Sequence, residues 1–246
     1  MSSIPLALQM WSVRDDFNKD FSATVEKVAA IGYPAVELAG YGNLSARDAA
    51  AAVREAGLRV TGMHVGLARL QAGLDEVLAE AALFDSPFVT CPSFGKNKLQ
   101  TAKDCAALGE TLNSIGAAVR QAGRRFAYHN HDAEFKMVEG RLVIDWMLDA
   151  AEPRNLEMEL DVYWSTVAGV DTPAWLRRTG RRTTQIHLKD AKELGASGTV
   201  DFPAILQAAT SIGAVEIFII EQEEYSHEPL ESVRICLETF RAWAGA

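Results

Sequence analysis

Four segments of the chain share one grammar. AAIGYPAVEL, REAGLRVTGMH, RQAGRRFAYHNH and TSIGAVEIFIIE each read as the end of a helix, a glycine, then a short β-branched or aromatic run. Gly32, Gly57, Gly123 and Gly213 stand where a helix C-terminus calls for a left-handed residue, a conformation that costs glycine little. Between these marks the apolar residues recur with a helical period. Phe21, Val25 and Val28 share a face, as do Leu108, Leu112, Ile115 and Val119, and Leu230, Val233, Leu237 and Phe240. Asp20 and Asp201 precede helices as N-caps, and Pro203 falls in a first turn.

The pattern predicts eight strands: Leu6–Met10, Ala35–Leu38, Arg59–His64, Phe88–Cys91, Arg125–His129, Glu157–Asp161, Thr184–His187 and Glu216–Glu221. Strands alternating with helices imply a parallel sheet. Eight repeats in 246 residues suit a single (β/α)8 TIM barrel, one domain over residues 1–246, better than an open doubly wound sheet. The open sheet would carry a glycine-rich phosphate loop after its first strand, and that position reads QMWSVRDD. EFKMVEGRLVID, after the fifth strand, reads as a small hairpin insertion with its turn at Glu139-Gly140.

Composition narrows the partners. A formal net charge of −9 argues against nucleic acid, whose binding rests on phosphate neutralisation by Lys and Arg. No apolar run reaches the roughly 18 residues that a membrane span requires, and the N-terminus lacks a signal-peptide pattern. Cys91, Cys105 and Cys236 are an odd number without paired spacing, which predicts small core residues in a reduced, cytoplasmic setting. A homo-oligomer is compatible with the sequence, which leaves the oligomeric state open.

In a barrel, chemistry belongs at the C-terminal ends of the strands. The chain has five histidines, and all fall on that predicted rim: His64, His129, His131, His187 and His227. Glu37, Asp161 and Glu221 do the same. Asp161, His187 and Glu221 end three consecutive strands, each after an apolar run. Two carboxylates and an imidazole suit a divalent cation such as Mn, Co, Mg or Zn. Buried polar residues paired for structure would leave the same trace.

YHNHDAEF, LDVYWSTVAGVD, IHLKDAK, GASGTVDFPAIL and IIEQEE, with LALQMWSVRDD at the start, resemble in order the xylose isomerase-like TIM barrels, and more closely the bacterial proteins of the sugar phosphate isomerase/epimerase type. The resemblance implies a metal-dependent enzyme on a small-molecule carbohydrate. The family's metal set is a glutamate on strand five, an aspartate on six, a histidine on seven and a glutamate on eight. Asp161, His187 and Glu221 match the last three; at the first this chain reads Tyr128-His129-Asn130-His131. That histidine cluster is similar to those of inosose dehydratases and 3-keto-glycoside lyases. It implies His129 as fourth ligand and His131 as acid/base, with the two roles reversed if the strand bulges at Asn130. Glu221 doubles as a proton-transfer group.

The expected reaction is therefore isomerisation, epimerisation or elimination next to the carbonyl of a keto-sugar, cyclitol or 3-keto-glycoside. A non-catalytic sugar-binding barrel is the alternative. An endonuclease IV-like repair enzyme fits less well, because Trp164 stands where its strand-six motif has histidine and no histidine lies between His187 and His227. Lys189 is expected to contact a substrate oxygen, or else to pair with Asp190 or Glu193. Glu37 and His64 suit substrate hydroxyls, Trp11 and Trp164 sugar faces or a packed lid, and Glu134 the substrate or the histidines' orientation.

Overall fold

The repeated helix–glycine–strand unit closes on itself. The computed structural model describes residues 4–94 and 99–244. Its main strands are β1 (Leu6–Gln9), β2 (Ala35–Leu38), β3 (Arg59–His64), β4 (Phe88–Cys91), β5 (Arg125–His129), β6 (Glu157–Asp161), β7 (Thr183–Leu188) and β8 (Ile217–Ile220). Each pairs in parallel with its neighbours, and β1 pairs with both β2 and β8, so the barrel has no free edge. The predicted hairpin is present as Met137–Val138 against Arg141–Leu142, with positive φ at Glu139 and Gly140 in the two-residue turn.

The local signals act as chemistry dictates. Asp20 accepts from the Ala23 amide at 3.0 Å, and Asp201 from the Ala204 amide at 3.1 Å. Gly32 and Gly213 cap their helices at φ 108° and 65°. Three strands differ from expectation at their ends, and β7 is one residue longer at each end. Met10 leaves β1 for a 3-10 turn (Met10–Val13), because the Gln9 side chain accepts from the Trp11 amide and turns the chain over the rim. Glu216 and Glu221 flank β8, although their amides still donate to Thr184 and Leu188 across β7.

Alternation along the strands sorts side chains into two cores. Outward residues such as Leu8, Leu38, Phe126, Met158, Ile186 and Ile220 pack under the helices. Inward, Ala7, Ala35, Phe88, Ala127, Ile217 and Ile219 form a separate plug inside the barrel. Cys91, Cys105 and Cys236 are free and buried. None of the described helices is long and apolar enough to cross a membrane.

The helix Ala102–Gln121 lies so close to the next repeat that two of its glycines have no room for a side chain. A Cβ on Gly116 would sit 1.6 Å from the Asn155 carbonyl oxygen, and one on Gly109 2.3 Å from that of Met147. Gly116→Ala should therefore destabilise the protein by roughly 1–3 kcal/mol through overpacking, despite a gain of about 1 kcal/mol in helix propensity. Urea unfolding measures this; an unchanged or raised midpoint would show that the helix can move away at little cost.

Candidate active site

Above the apolar plug the inward face turns polar. Two residues beyond Ala7, Ala35, Phe88 and Ala127 stand Gln9, Glu37, Thr90 and His129, and Glu159, Gln185 and His187 join them; all are buried. Burying so many polar groups is costly unless each finds a partner. Here the partners are mostly one another.

The residues form two clusters that share His187: Glu37, His64, Glu159 and His187, and His129, Asp161, His187 and Glu221. Within each, one ligand atom per residue lies within 4.8 Å of the others. The two nitrogens of His187 divide between them. Its Nε2 lies 2.8 Å from Glu37 Oε2 and 3.1 Å from Glu159 Oε1, while its Nδ1 lies 3.3 Å from Glu221 Oε2. His64 Nε2 completes the first cluster at 2.7 Å from Glu159 and 3.1 Å from Glu37. In the second, His129 Nε2 stands 3.6 Å from Asp161 Oδ2 and 4.0 Å from Glu221.

Two irregularities aim these groups. The register of β2 against β3 shifts between Val36 and Glu37, and that of β6 against β7 shifts between Met158 and Glu159. A local slip re-aims the side chain that follows it. Gly62 makes space for the first: a Cβ there would lie 2.6 Å from Glu37 Oε1. Asn130 ties β5 to β6, accepting from the Asp161 amide at 3.1 Å and donating to its carbonyl.

The charges follow from burial and neighbours. Burial holds the His129 imidazole well below its usual range, and His187 and His64 push it further down, so it is neutral. Burial works against ionised Glu221, but Lys189 and His187 outweigh it and keep the carboxylate charged. Asp161 is pushed up to about 6, chiefly by burial, with Lys189 opposing and Glu221 adding to the rise. Burial disfavours protonated His64, yet Glu37 and Glu159 raise it to about 10.

Most of the residues anticipated from sequence converge here. A cavity of about 380 Å³ is lined by Trp11, His64, His129, His131, Glu221 and Glu223. Lys189 is 2% exposed, with Nζ 2.6 Å from Glu223, 3.5 Å from Glu221 and 4.8 Å from the centre of the Trp164 ring. It does not pair with Asp190 or Glu193, which hold loop groups instead: Asp190 the Ala191 amide, Glu193 the Ser226 amide. His131 sits beside the Trp164 and His129 rings, outside both clusters. Glu37 is fully buried beneath the cavity. Glu134 is no substrate contact: it is 1% exposed, and its oxygens accept from Tyr128 Oη at 2.6 Å and from the His131 amide at 2.8 Å. It orients the histidine loop. His227 is exposed and belongs to neither cluster. A larger depression of about 750 Å³, near Pro5, Arg59, Asp85 and Arg124, brings no ligand cluster together among the described residues.

Residues 25–243 match the xylose isomerase-like TIM barrel family. The chain belongs to this family. No curated protein matches it by sequence. Among solved structures, it is similar to a sugar phosphate isomerase/epimerase from Parabacteroides distasonis ATCC 8503, with TM-score 0.85 and 22% identity over 98% of this chain and 97% of that one. It is similar to a D-allulose 3-epimerase from Methylomonas sp., with TM-score 0.77 and 12% identity over 98% of each chain. An AP endonuclease, family 2, from Brucella melitensis matches at TM-score 0.74 and 14% identity, over 93% of this chain and 96% of that one. At these identities the likeness is one of fold.

Within this xylose isomerase-like barrel, unpartnered atoms test whether a cation fits. His129 Nδ1 and Nε2 and Asp161 Oδ2 are buried without a hydrogen bond. A neutral imidazole facing carboxylate oxygens is the donor set a divalent ion takes. His187 presents Nδ1 to this cluster while carboxylates hold its Nε2, the usual outer support of a histidine ligand. The residues fit.

Proposed function

We propose that the protein is a divalent-metal-dependent enzyme that moves a proton next to the carbonyl of a keto-sugar, cyclitol or 3-keto-glycoside, as an isomerase, epimerase or lyase. The observation that carries this reading is the His129–Asp161–His187–Glu221 donor set, with His129 and Glu221 opening onto a cavity where His131 also stands. Mn, Co, Mg or Zn would be held by these four residues. When bound, the metal supplies Lewis-acid polarisation of the substrate's carbonyl or hydroxyl oxygen.

The chain's own groups do the rest. Glu221, kept ionised beside Lys189, takes the proton from the carbon next to the carbonyl. His131 exchanges a proton on the other side, either returning it to carbon or delivering it to a leaving oxygen. Lys189, buried beneath Trp164, balances the charges of Glu221 and Glu223. Trp11, 42% exposed, offers an aromatic face to the sugar. Its likeness to a D-allulose 3-epimerase and a sugar phosphate isomerase/epimerase supports this substrate class.

The test is proton exchange in D2O followed by NMR, with keto-sugars, inososes and 3-keto-glycosides as substrates. Deuterium should enter at one carbon next to the carbonyl; no exchange in any class would sink the reading. A neutral substrate is expected over a phosphorylated one. No Lys or Arg lines the cavity among the described residues, while Glu221 and Glu223 do. With matched pairs, preference for the phosphorylated partner by 100-fold, about 2.7 kcal/mol, would overturn that expectation.

A further inference from the structure

Of the first cluster, only His187 has a place in that mechanism. Glu37, His64, Glu159 and His187 lie one layer deeper than the proton-moving groups, and all but His64 are fully buried. Their four inner atoms alternate: His64 Nε2, Glu159 Oε1, His187 Nε2 and Glu37 Oε2, separated in turn by 2.7, 3.1, 2.8 and 3.1 Å. Hydrogen bonding accounts poorly for this ring. Each Nε2 carries at most one hydrogen, so the ring has at most two hydrogens for four close contacts. Glu37 Oε2 is further crowded by a third nitrogen, Gln9 Nε2 at 2.7 Å, while Oε1 of the same carboxylate is buried with no partner.

We propose that Glu37, His64, Glu159 and His187 bind a second divalent cation. Two imidazole nitrogens and two carboxylate oxygens form a set suited to zinc. A tetrahedron with bonds of about 2.05 Å has edges of about 3.3 Å, so the four contacts of the ring need to lengthen by about 0.2–0.6 Å, and its two diagonals, each within 4.8 Å, to settle at the same length. Gln9 and Thr90 already hold the carboxylates from outside, Thr90 Oγ1 donating to Glu159 Oε2 at 3.3 Å. The route in is through His64, which lines the cavity. On binding, His64 would release the hydrogen of its Nε2 to solvent and keep the one on Nδ1. His187 releases its Nε2 hydrogen to solvent. With both sites filled, His187 would give up its Nδ1 hydrogen as well, one ring nitrogen serving each cluster.

The test loads the whole protein with Zn2+, removes loose metal by desalting, and counts zinc per chain by mass spectrometry. Two ions are expected for the unaltered protein and one for Glu159→Gln and for His64→Ala. The count of two rests on the proposed centre at Asp161, so Asp161→Asn is the control, and it too should hold one. If Asp161→Asn keeps an ion that is lost when Glu159→Gln is added to it, the deep site stands whatever becomes of the proposed reaction. If the unaltered protein saturates at one ion that Glu159→Gln and His64→Ala retain, the deep site is wrong and the proposed function is untouched. Should both variants fail to fold, anomalous scattering at the zinc edge from crystals of the unaltered protein decides: a peak between Glu37 and His64 supports the site, and its absence overturns it.

Discussion

Asp161→Asn should yield a folded protein that has lost its upper metal ion and its turnover. The fold survives because the substitution preserves what Asp161 does for the backbone. Its Oδ1 caps the helix Val162–Val167 by accepting from the Trp164 amide at 2.9 Å, and asparagine caps a helix as well as aspartate does. The Asn130 bonds run to the main chain of residue 161 and are indifferent to its side chain. What changes is Oδ2, the buried oxygen with no partner. In asparagine that position either becomes an amide that cannot ligate or remains an uncharged oxygen. Removing a support of a metal ligand typically costs 10–100-fold in affinity, so loss of an anionic ligand itself should cost about 100-fold or more. Metal content, circular dichroism and turnover together make the check. A folded variant with full metal and full turnover would remove Asp161 from the site.

The same neighbourhood shows how much a sequence reveals. Strands and caps were legible because they rest on short-range chemistry: a glycine at φ 65°, an aspartate accepting from the third amide on, apolar residues at a fixed spacing. Asp161, His187 and Glu221 were legible because each interrupts an apolar run at the point where the barrel opens. Glu159 was not singled out. It sits two residues before Asp161 in LEMELD, and a glutamate inside a predicted strand draws notice only once the closed barrel shows what it faces. The register shifts before Glu37 and Glu159 are likewise invisible in one strand alone, since a slip is a relation between two. Glu134 shows the opposite limit. Its place in the histidine loop left two roles open, contact with the substrate or orientation of the histidines, and only the structure shows its oxygens taken up by the Tyr128 hydroxyl and the His131 amide. Thr101 and Asp104 form a capping box that was not singled out from the sequence, although its acidic residue stands three places after the threonine.

His129 and His131 should separate cleanly when replaced one at a time. Residues two apart on a regular strand share a face, which would make the pair interchangeable. The strand does not continue that far. β5 ends at His129, Asn130 turns to the main chain of Asp161, and Glu134 fixes the His131 amide. The rings end 5.0 Å apart at 76° to each other, in different surroundings. His129 is 2% exposed among Asp161, His187 and Glu221, whereas His131 lines the cavity beside Trp164. His129→Gln should therefore weaken metal binding by about 100-fold or more, with turnover restored in part by excess metal. His131→Gln should leave metal content unchanged and lower turnover by about 100-fold or more, flattening one limb of the pH–rate profile. The Glu134 contact survives that change, because it runs to the backbone of residue 131. If His131→Gln loses metal while His129→Gln keeps it, the two roles are reversed. If both variants keep metal and turnover, neither histidine belongs to the site, and the polar burst at the end of β5 serves only to tie β5 to β6.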